Sequence, residues 1–346
     1  MRESLRSKSY DLDDAFAVNE FYQAKGWTDG LPVVPPTEER VCEFLDGAGL
    51  AAADIIGIEP VRQRPITAEK AAINAVLAGC LPAYMPVVVT VLRAMCDEQY
   101  NLHGTTASTG GAAPFIVVNG PIRTVIGMNA RHNVFANGNR ANATIGRAIR
   151  LLLINVLGVI PGELDRSTLG HPGKFTFCIA EDEEDSPWTP LSQARGVAAG
   201  QSAVTVVAAG APRQVMNEWT DDPKEILETF AAEMRHNMLT YSIWAGNYVL
   251  VIPKQLRDLL AAAGWQKRDI QEYIFRSSRV LRSEWAKAGK AKLVARGGGP
   301  MEEFAALKEP DDLLIVAAGG PAGGFGAVVP PWLGSKARAV TKAIEI

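Results

Sequence analysis

Apolar positions recur at helical spacing over residues 12–25, and again over TAEKAAINAVLAGC at 67–80, where Thr67 is placed to be the N-cap. Between these two expected helices lies the turn-rich stretch GWTDGLPVVPPTEERV, in which Thr37 followed by Glu38 and Glu39 is suited to start another. Pro82 and Pro86 punctuate the chain around the start of a further helix, from about Met85 to Met95. The period then changes. APFIVVNGP is a short apolar run between proline and glycine signals, which predicts a buried strand. From Arg131 the text turns polar, RHNVFANGNRANATIGRAIR, and passes into the apolar helix IGRAIRLLLINVLG, stopped by Gly158 with Pro161 beyond. A strand near 174–180 follows, and then the acidic run EDEED at 181–185, which reads as a solvated turn.

The second half alternates more regularly. AVTVVAAG at 203–210 predicts a strand, 223–238 a helix and NYVLVIP a strand; QLRDLLAAAG and QKRDIQEYIFRSSRVL are helical, and DDLLIVAAGG at 311–320 is a strand. Strands alternating with helices imply crossover connections, so the expected fold class is α/β, with largely parallel or mixed sheets flanked by helices. RGVAAGQS breaks both patterns at about 195–202, which divides the chain into two expected α/β units, 1–198 and 199–346. A length of 346 residues agrees with two domains or one large α/β unit.

Composition narrows the function classes. Hydrophobic residues make up 47% and charged residues 21%, as in an ordinary globular protein. A net charge of −3 supplies no general attraction to nucleic acid or anionic membranes, so neither is expected as a partner. The first residues contain no apolar run suited to a signal-peptide core, and the most apolar stretches are too short to span a bilayer; a cytoplasmic location is the default expectation. Cys42, Cys80, Cys96 and Cys178 are far apart without a C-x-x-C pair and read as small buried hydrophobes.

The chemistry-bearing stretch is GNRANATIGR at 138–147. With Asn142 or Thr144 as the helix cap, unpaired backbone N–H groups and the positive end of the dipole would face the loop and favour an anion. Asn139, Arg140 and Arg147 would add side-chain donors, and Lys174 a further cation. The competing reading is an Asn-rich loop that satisfies only its own backbone. Histidine is the side chain tuned for proton transfer near neutrality, and His103 and His171 both lie beside expected strand ends. They are the candidate general acid and base, with Asp29 in its Asp-Gly turn, or Glu163, orienting one of them. His132 within the polar loop and His236 in a helix read as solvated. No H-E-x-x-H, H-x-x-E-H or H-x-H spacing occurs; a divalent metal is not favoured, and the sequence names no cofactor. The Gly-rich AAGGPAGGFGAVVPPW fits neither a Walker loop nor a dinucleotide fingerprint, and no G-x-S-x-G elbow is present.

Taken as a set, TDGLPVVPPTEERV, ITAEKAAINAVLAGCLPAYMPVV, NLHG, GNRANATIGRAIRLLLINVLG, GELDRSTLGHPGKFTFC and SPWTPL resemble a little-characterised bacterial family. It is associated with proteins marked by a selenocysteine- or cysteine-Gly-Ser-Cys (UGSC) motif. The resemblance covers residues 27–191 and runs more loosely to the C-terminus. This chain has no Cys-Gly-Ser-Cys, so thiol or selenol chemistry cannot be carried onto any residue here. The resemblance allows a substrate-binding subunit whose partner chain supplies the thiol or selenol. The residues themselves favour a small-molecule enzyme acting on an anionic, carboxylate-bearing substrate by general acid/base chemistry, of lyase, hydratase or hydrolase type. A non-catalytic ligand-binding protein is the third reading. The Pro-rich segments 31–36 and 329–332, with Trp332, suggest a homo-oligomer interface.

Overall fold

The computed structural model describes residues 5–241, 244–296, 298–333 and 336–345. Helices begin where the sequence supplies caps. Asp14 accepts from the Ala17 N–H ahead of Ala15–Lys25, Thr37 from Arg40 ahead of Glu38–Ala48, and Thr67 from Lys70 ahead of Ala68–Ala78. Each of these three ends on a glycine in the left-handed region, Gly26, Gly49 or Gly79, where a Cβ would be disfavoured. Met85–Met95 follows, then the long helix Arg140–Asn155.

Two four-stranded sheets form the centre. The first orders its strands Val340–Ala343, Ala203–Ala209, Ala113–Asn119, Cys178–Ala180. The second orders Leu314–Ala317, Val249–Ile252, Phe325–Val329, Arg213–Met216. The fold class is α/β, with mixed sheets flanked by helices. In each sheet one pair is parallel, 113–119 with 178–180 and 314–317 with 249–252, and the remaining pairs are antiparallel. Loop length explains part of this. Only residues 318–324 separate Leu314–Ala317 from Phe325–Val329, too few for the crossover that a parallel return requires.

The sheets stack face to face. Phe115, Val117, Val207 and Ile179 of the first meet Val249, Val251, Leu314, Val316 and Val329 of the second. The alternate residues of the same strands point outward. Ile116, Val118, Val204 and Val206 pack against Ala68–Ala78, Met85–Met95 and Arg140–Asn155. On the far side, Leu250, Ile252, Ile315 and Val328 pack against Pro223–Thr240, Lys254–Ala262 and Lys267–Ser277. The layers are therefore helix, sheet, sheet, helix, and strands covered on both faces are why the apolar runs show no alternation. A division at 198/199 falls between strands of one sheet: Ala203–Ala209 pairs along its whole length with Ala113–Asn119, and Val340–Ala343 pairs beside it.

Two expectations are corrected here. The EDEED run is not a solvated turn at its start: Glu181 and Asp182 are buried. Glu181 accepts from Asn119 Nδ2 at 2.7 Å, the Leu191 N–H at 2.7 Å and Lys267 Nζ at 2.8 Å, while Asp182 pairs with Arg131 and Arg257, each at 3.3 Å. Cations distant in sequence make that burial tolerable. Trp332 is likewise buried rather than available for an interface; it belongs to the first core, and its Nε1 donates to Ser108 Oγ at 2.8 Å. Among the described residues no helix is long and apolar enough to cross a membrane.

Gly146 sets the distance between Arg140–Asn155 and the segment 176–177 that leads into the strand Cys178–Ala180. A Cβ there would meet the Phe177 N at 2.8 Å and Thr176 Oγ1 closer still. Alanine is the better helix former by about 1 kcal/mol, yet overpacking should dominate, and Gly146→Ala is expected to destabilise the protein by about 1–3 kcal/mol. Urea unfolding checks this; an unchanged or raised midpoint would show that the helix can shift without cost.

Candidate functional site

The polar loop before Arg140–Asn155 is committed to holding itself. The cap is Asn139 rather than Asn142 or Thr144; its Oδ1 accepts from the Asn142 N–H at 3.0 Å and its Nδ2 donates to Gly127 O at 2.8 Å. Asn142 is buried, accepting from the Asn129 N–H at 3.0 Å and donating to Asn129 O at 2.8 Å. Thr144 Oγ1 donates to Arg140 O one turn back, at 2.8 Å. Arg140 donates to the carbonyls of Gly79 at 2.9 Å and Cys80 at 3.3 Å, closing the end of Ala68–Ala78. The structure thus follows the competing reading of these four residues. These hydrogen bonds all go to backbone groups, which is what an irregular loop at a helix start needs.

Arg147 and Asp29 form a fork-to-carboxylate pair, with Nε to Oδ2 and Nη2 to Oδ1 both at 2.8 Å, and Arg147 also donates to Pro32 O at 2.8 Å. Burial alone would raise the Asp29 pKa, but the Arg147 bonds outweigh it and hold the carboxyl below its ordinary value. The pair fastens the TDGLP turn to the helix, so Asp29 orients no histidine. His103 lies in the short helix Leu102–Thr106, outside the cleft described below, with Nδ1 buried and unpartnered. Glu163 is exposed on a turn.

The other two predicted residues do meet. A cleft of about 750 Å³ opens between the second half of Arg140–Asn155, the loop 160–175 and the turn at 26–29. Its polar wall contains Arg150, Asp165, Ser167, His171 and Lys174, and its apolar lining includes Ile154, Ile160, Leu169 and Phe175. Lys174 Nζ donates to Asp165 Oδ2 at 2.7 Å, to Oδ1 at 2.9 Å and to Ser167 Oγ at 2.5 Å. Ser167 Oγ in turn donates to Asp165 Oδ1 at 2.5 Å. Arg150 Nη2 donates to Asp165 Oδ2 at 2.9 Å.

Burial would raise the Asp165 pKa, yet Lys174 and Ser167 overcome it and hold the carboxyl at about 2. Burial pulls Lys174 below its ordinary value, partly offset by Asp165 and reinforced by Arg150. Arg150 and Lys174 against Asp165 leave one positive charge in excess. Arg150 is 11% exposed along its side chain and makes only that one bond among the described residues, so most of its N–H fork remains for a ligand.

His171 stands at the cleft wall. Its Nδ1 accepts from the Gly173 N–H at 3.2 Å and its Nε2 faces Ala209 O at 3.3 Å, which fixes the tautomer with the proton on Nε2. Burial lowers its pKa, so the ring is neutral at neutral pH.

Sequence reading missed Arg150, Asp165 and Ser167. The signal for Arg150 was present: it is the single charge in the apolar run AIRLLLIN, and its charge belongs with a buried partner. Asp165 stands close in sequence to Glu163 and His171, but that pattern has little specificity. Burial pushes the Cys80 thiol up to about 12 and Cys96 up to about 11, and raises Cys178 as well, so none of the three offers a thiolate. Among the described residues no three His, Cys, Asp or Glu side chains are grouped to hold a metal ion.

No protein-family model matches the chain, and no curated protein is similar to it. The site therefore rests on its own geometry.

Asp165→Asn leaves Arg150 and Lys174 as neighbouring buried cations and is expected to cost about 3–5 kcal/mol of stability. The folded carboxyl titrates at about 2 against an ordinary 3.8, so its contribution is complete above the unfolded value and disappears as pH falls through the folded one. The difference between wild type and variant in urea unfolding should accordingly shrink between about pH 4 and pH 2. A difference independent of pH would contradict the ion-pair assignment.

Proposed function

We propose that this protein is an enzyme of small-molecule metabolism that takes a carboxylate-bearing substrate on Arg150 and works on it by general acid/base catalysis. The observation that carries the reading is the Arg150 guanidinium, anchored at one nitrogen by Asp165 and otherwise unpaired among the described residues, at the wall of a cleft with one excess positive charge. A planar fork held in this way suits a bidentate carboxylate, and the fixed helix beneath it keeps the donors oriented before the ligand arrives.

Lys174 is the proton donor of the pair. Its ammonium is shared with Ser167 and Asp165, and burial favours release of its proton more than in water. Asp165, with a pKa of about 2, is too weak a base for the task and serves to position the two cations. His171, neutral and bordering the cleft, is the acceptor once its Nδ1 turns from the Gly173 N–H to the substrate. Proton addition and removal around a bound carboxylate suits a lyase, hydratase or hydrolase, and these residues supply it without drawing on any of the four cysteines.

Thermal-shift screening of small carboxylates, followed by NMR of the mixtures for conversion, tests the reading. Arg150→Gln should abolish stabilisation by the ligands that protect wild type, since a charged hydrogen-bond pair is worth about 1.5–3 kcal/mol. His171→Asn retains a side chain able to cap Pro172–Lys174, and should bind as wild type does while conversion stops. Equal stabilisation of Arg150→Gln removes the carboxylate reading. Binding without any conversion by wild type would make the protein a ligand-binding one.

A further inference from the structure

A second cavity, of about 330 Å³, adjoins the cleft, and Leu169, Gly170 and His171 line both. Leu169 is 96% exposed, so the partition between the two is a solvent-facing loop rather than core. The second cavity lies where the two sheets are joined: Ala209 bridges to Pro331, and the Gly210 N–H donates to Pro330 O at 2.9 Å. Asn237, near the end of Pro223–Thr240, and Tyr241 just beyond it complete the wall.

The polar groups of this cavity differ from those of the cleft. Asn237 is fully buried; its Nδ2 donates to the Tyr248 hydroxyl at 2.7 Å, and its Oδ1 has no partner among the described residues. An amide oxygen buried without a donor costs about 1–3 kcal/mol, and a donor brought by a ligand into the cavity that Asn237 borders would offset that cost. Arg213 is neutralised by Glu233 at 3.1 Å, and the Tyr241 hydroxyl donates to Gly110 O at 3.1 Å. The cavity thus has no net charge, whereas the adjoining cleft has one positive charge in excess.

We infer that the second cavity is the specificity subsite for the far arm of the substrate, and that it takes a neutral arm whose N–H or O–H donates to Asn237 Oδ1. This rests on the carboxylate reading of Arg150. The substrate class is then a carboxylic acid bearing a terminal amide or hydroxyl, with the reacting atoms between the two ends beside His171. A second carboxylate would bring an anion against the Asn237 oxygen, and an ammonium would give up its hydration in a cavity with no net charge to offset the loss.

Calorimetry with the full chain separates the subsite from the site. The probes are n-alkanoates of increasing length and their ω-carbamoyl counterparts. At one chain length the carbamoyl compound should bind about tenfold more tightly than its alkanoate, the worth of one hydrogen bond to a buried acceptor. Ala211→Trp fills the cavity from an exposed position, and should erase that preference while leaving the alkanoate affinities unchanged. Asn237→Leu should do the same. If Asn237→Leu does not fold, Ala211→Trp decides alone. A wild type without preference at any length, or a preference that survives Ala211→Trp, overturns the subsite and leaves the Arg150 reading standing. Failure of every alkanoate to bind overturns both.

Discussion

The contact between the two sheets is the constraint from which the rest of this molecule follows. Each central strand carries apolar side chains on both faces, so each sheet must be covered twice, once by the other sheet and once by helices. That leaves little room for polar groups except at strand ends. At the end of Ala113–Asn119 marked by Asn119, Glu181 and Asp182 link the sheets: the Glu181 N–H donates to Val118 O at 3.2 Å, and the Asp182 N–H to Ala317 O at 2.7 Å. Buried carboxylates are costly unless every oxygen is matched, and here Asn119, Lys267, Arg131 and Arg257 match them. Charge holds one end of the sandwich together, and hydrophobic contact holds its middle.

The candidate site is at the opposite end of the same strand. His171 reaches Ala209 O, and Ala209 pairs with Ala113, six residues from Asn119 along the strand. In wholly parallel sheets, ligands gather at the carboxyl ends of the strands. Antiparallel pairing of Ala203–Ala209 brings a carboxyl end to the amino end of Ala113–Asn119, so here that rule favours neither side. What distinguishes the cleft is its wall, with cations exposed to a space, whereas at the other end the cations are consumed by Glu181 and Asp182.

Much of this was legible in the sequence, and the exceptions have a common cause. Caps at Thr37 and Thr67, the glycines after the helices, and runs such as PFIVV and LLIV are local signals, and the elements they predict are present. Strand direction, and the burial of Glu181 and Asp182, depend on residues far away in sequence, such as Lys267 and Arg257, which no local pattern brings together. The Asn-rich loop illustrates the same limit from the other side. Its composition signals polar groups in need of partners, and the partners turn out to be Gly127, Asn129 and Gly79 backbone rather than a ligand. His171 and Lys174 were found because their residue types carry chemistry, while Asp165 gains its meaning only from the two cations beside it.

The position of Arg150 within a helix explains why a cation, rather than the helix start, is the candidate for holding an anion. At the start, the Asn139 side chain already occupies the Asn142 N–H, so the dipole there acts on a side chain of the protein itself. Eleven residues on, Arg150 projects from a helix whose Ile149, Leu151, Leu152 and Leu153 are buried in the core, which holds its backbone in place. Asp165 then restrains the side chain by one nitrogen. A fork so held loses little conformational entropy when it meets a carboxylate, whereas a surface arginine must be ordered at the moment of binding. Affinity for a carboxylate, as proposed, would thus draw on rigidity established by the core.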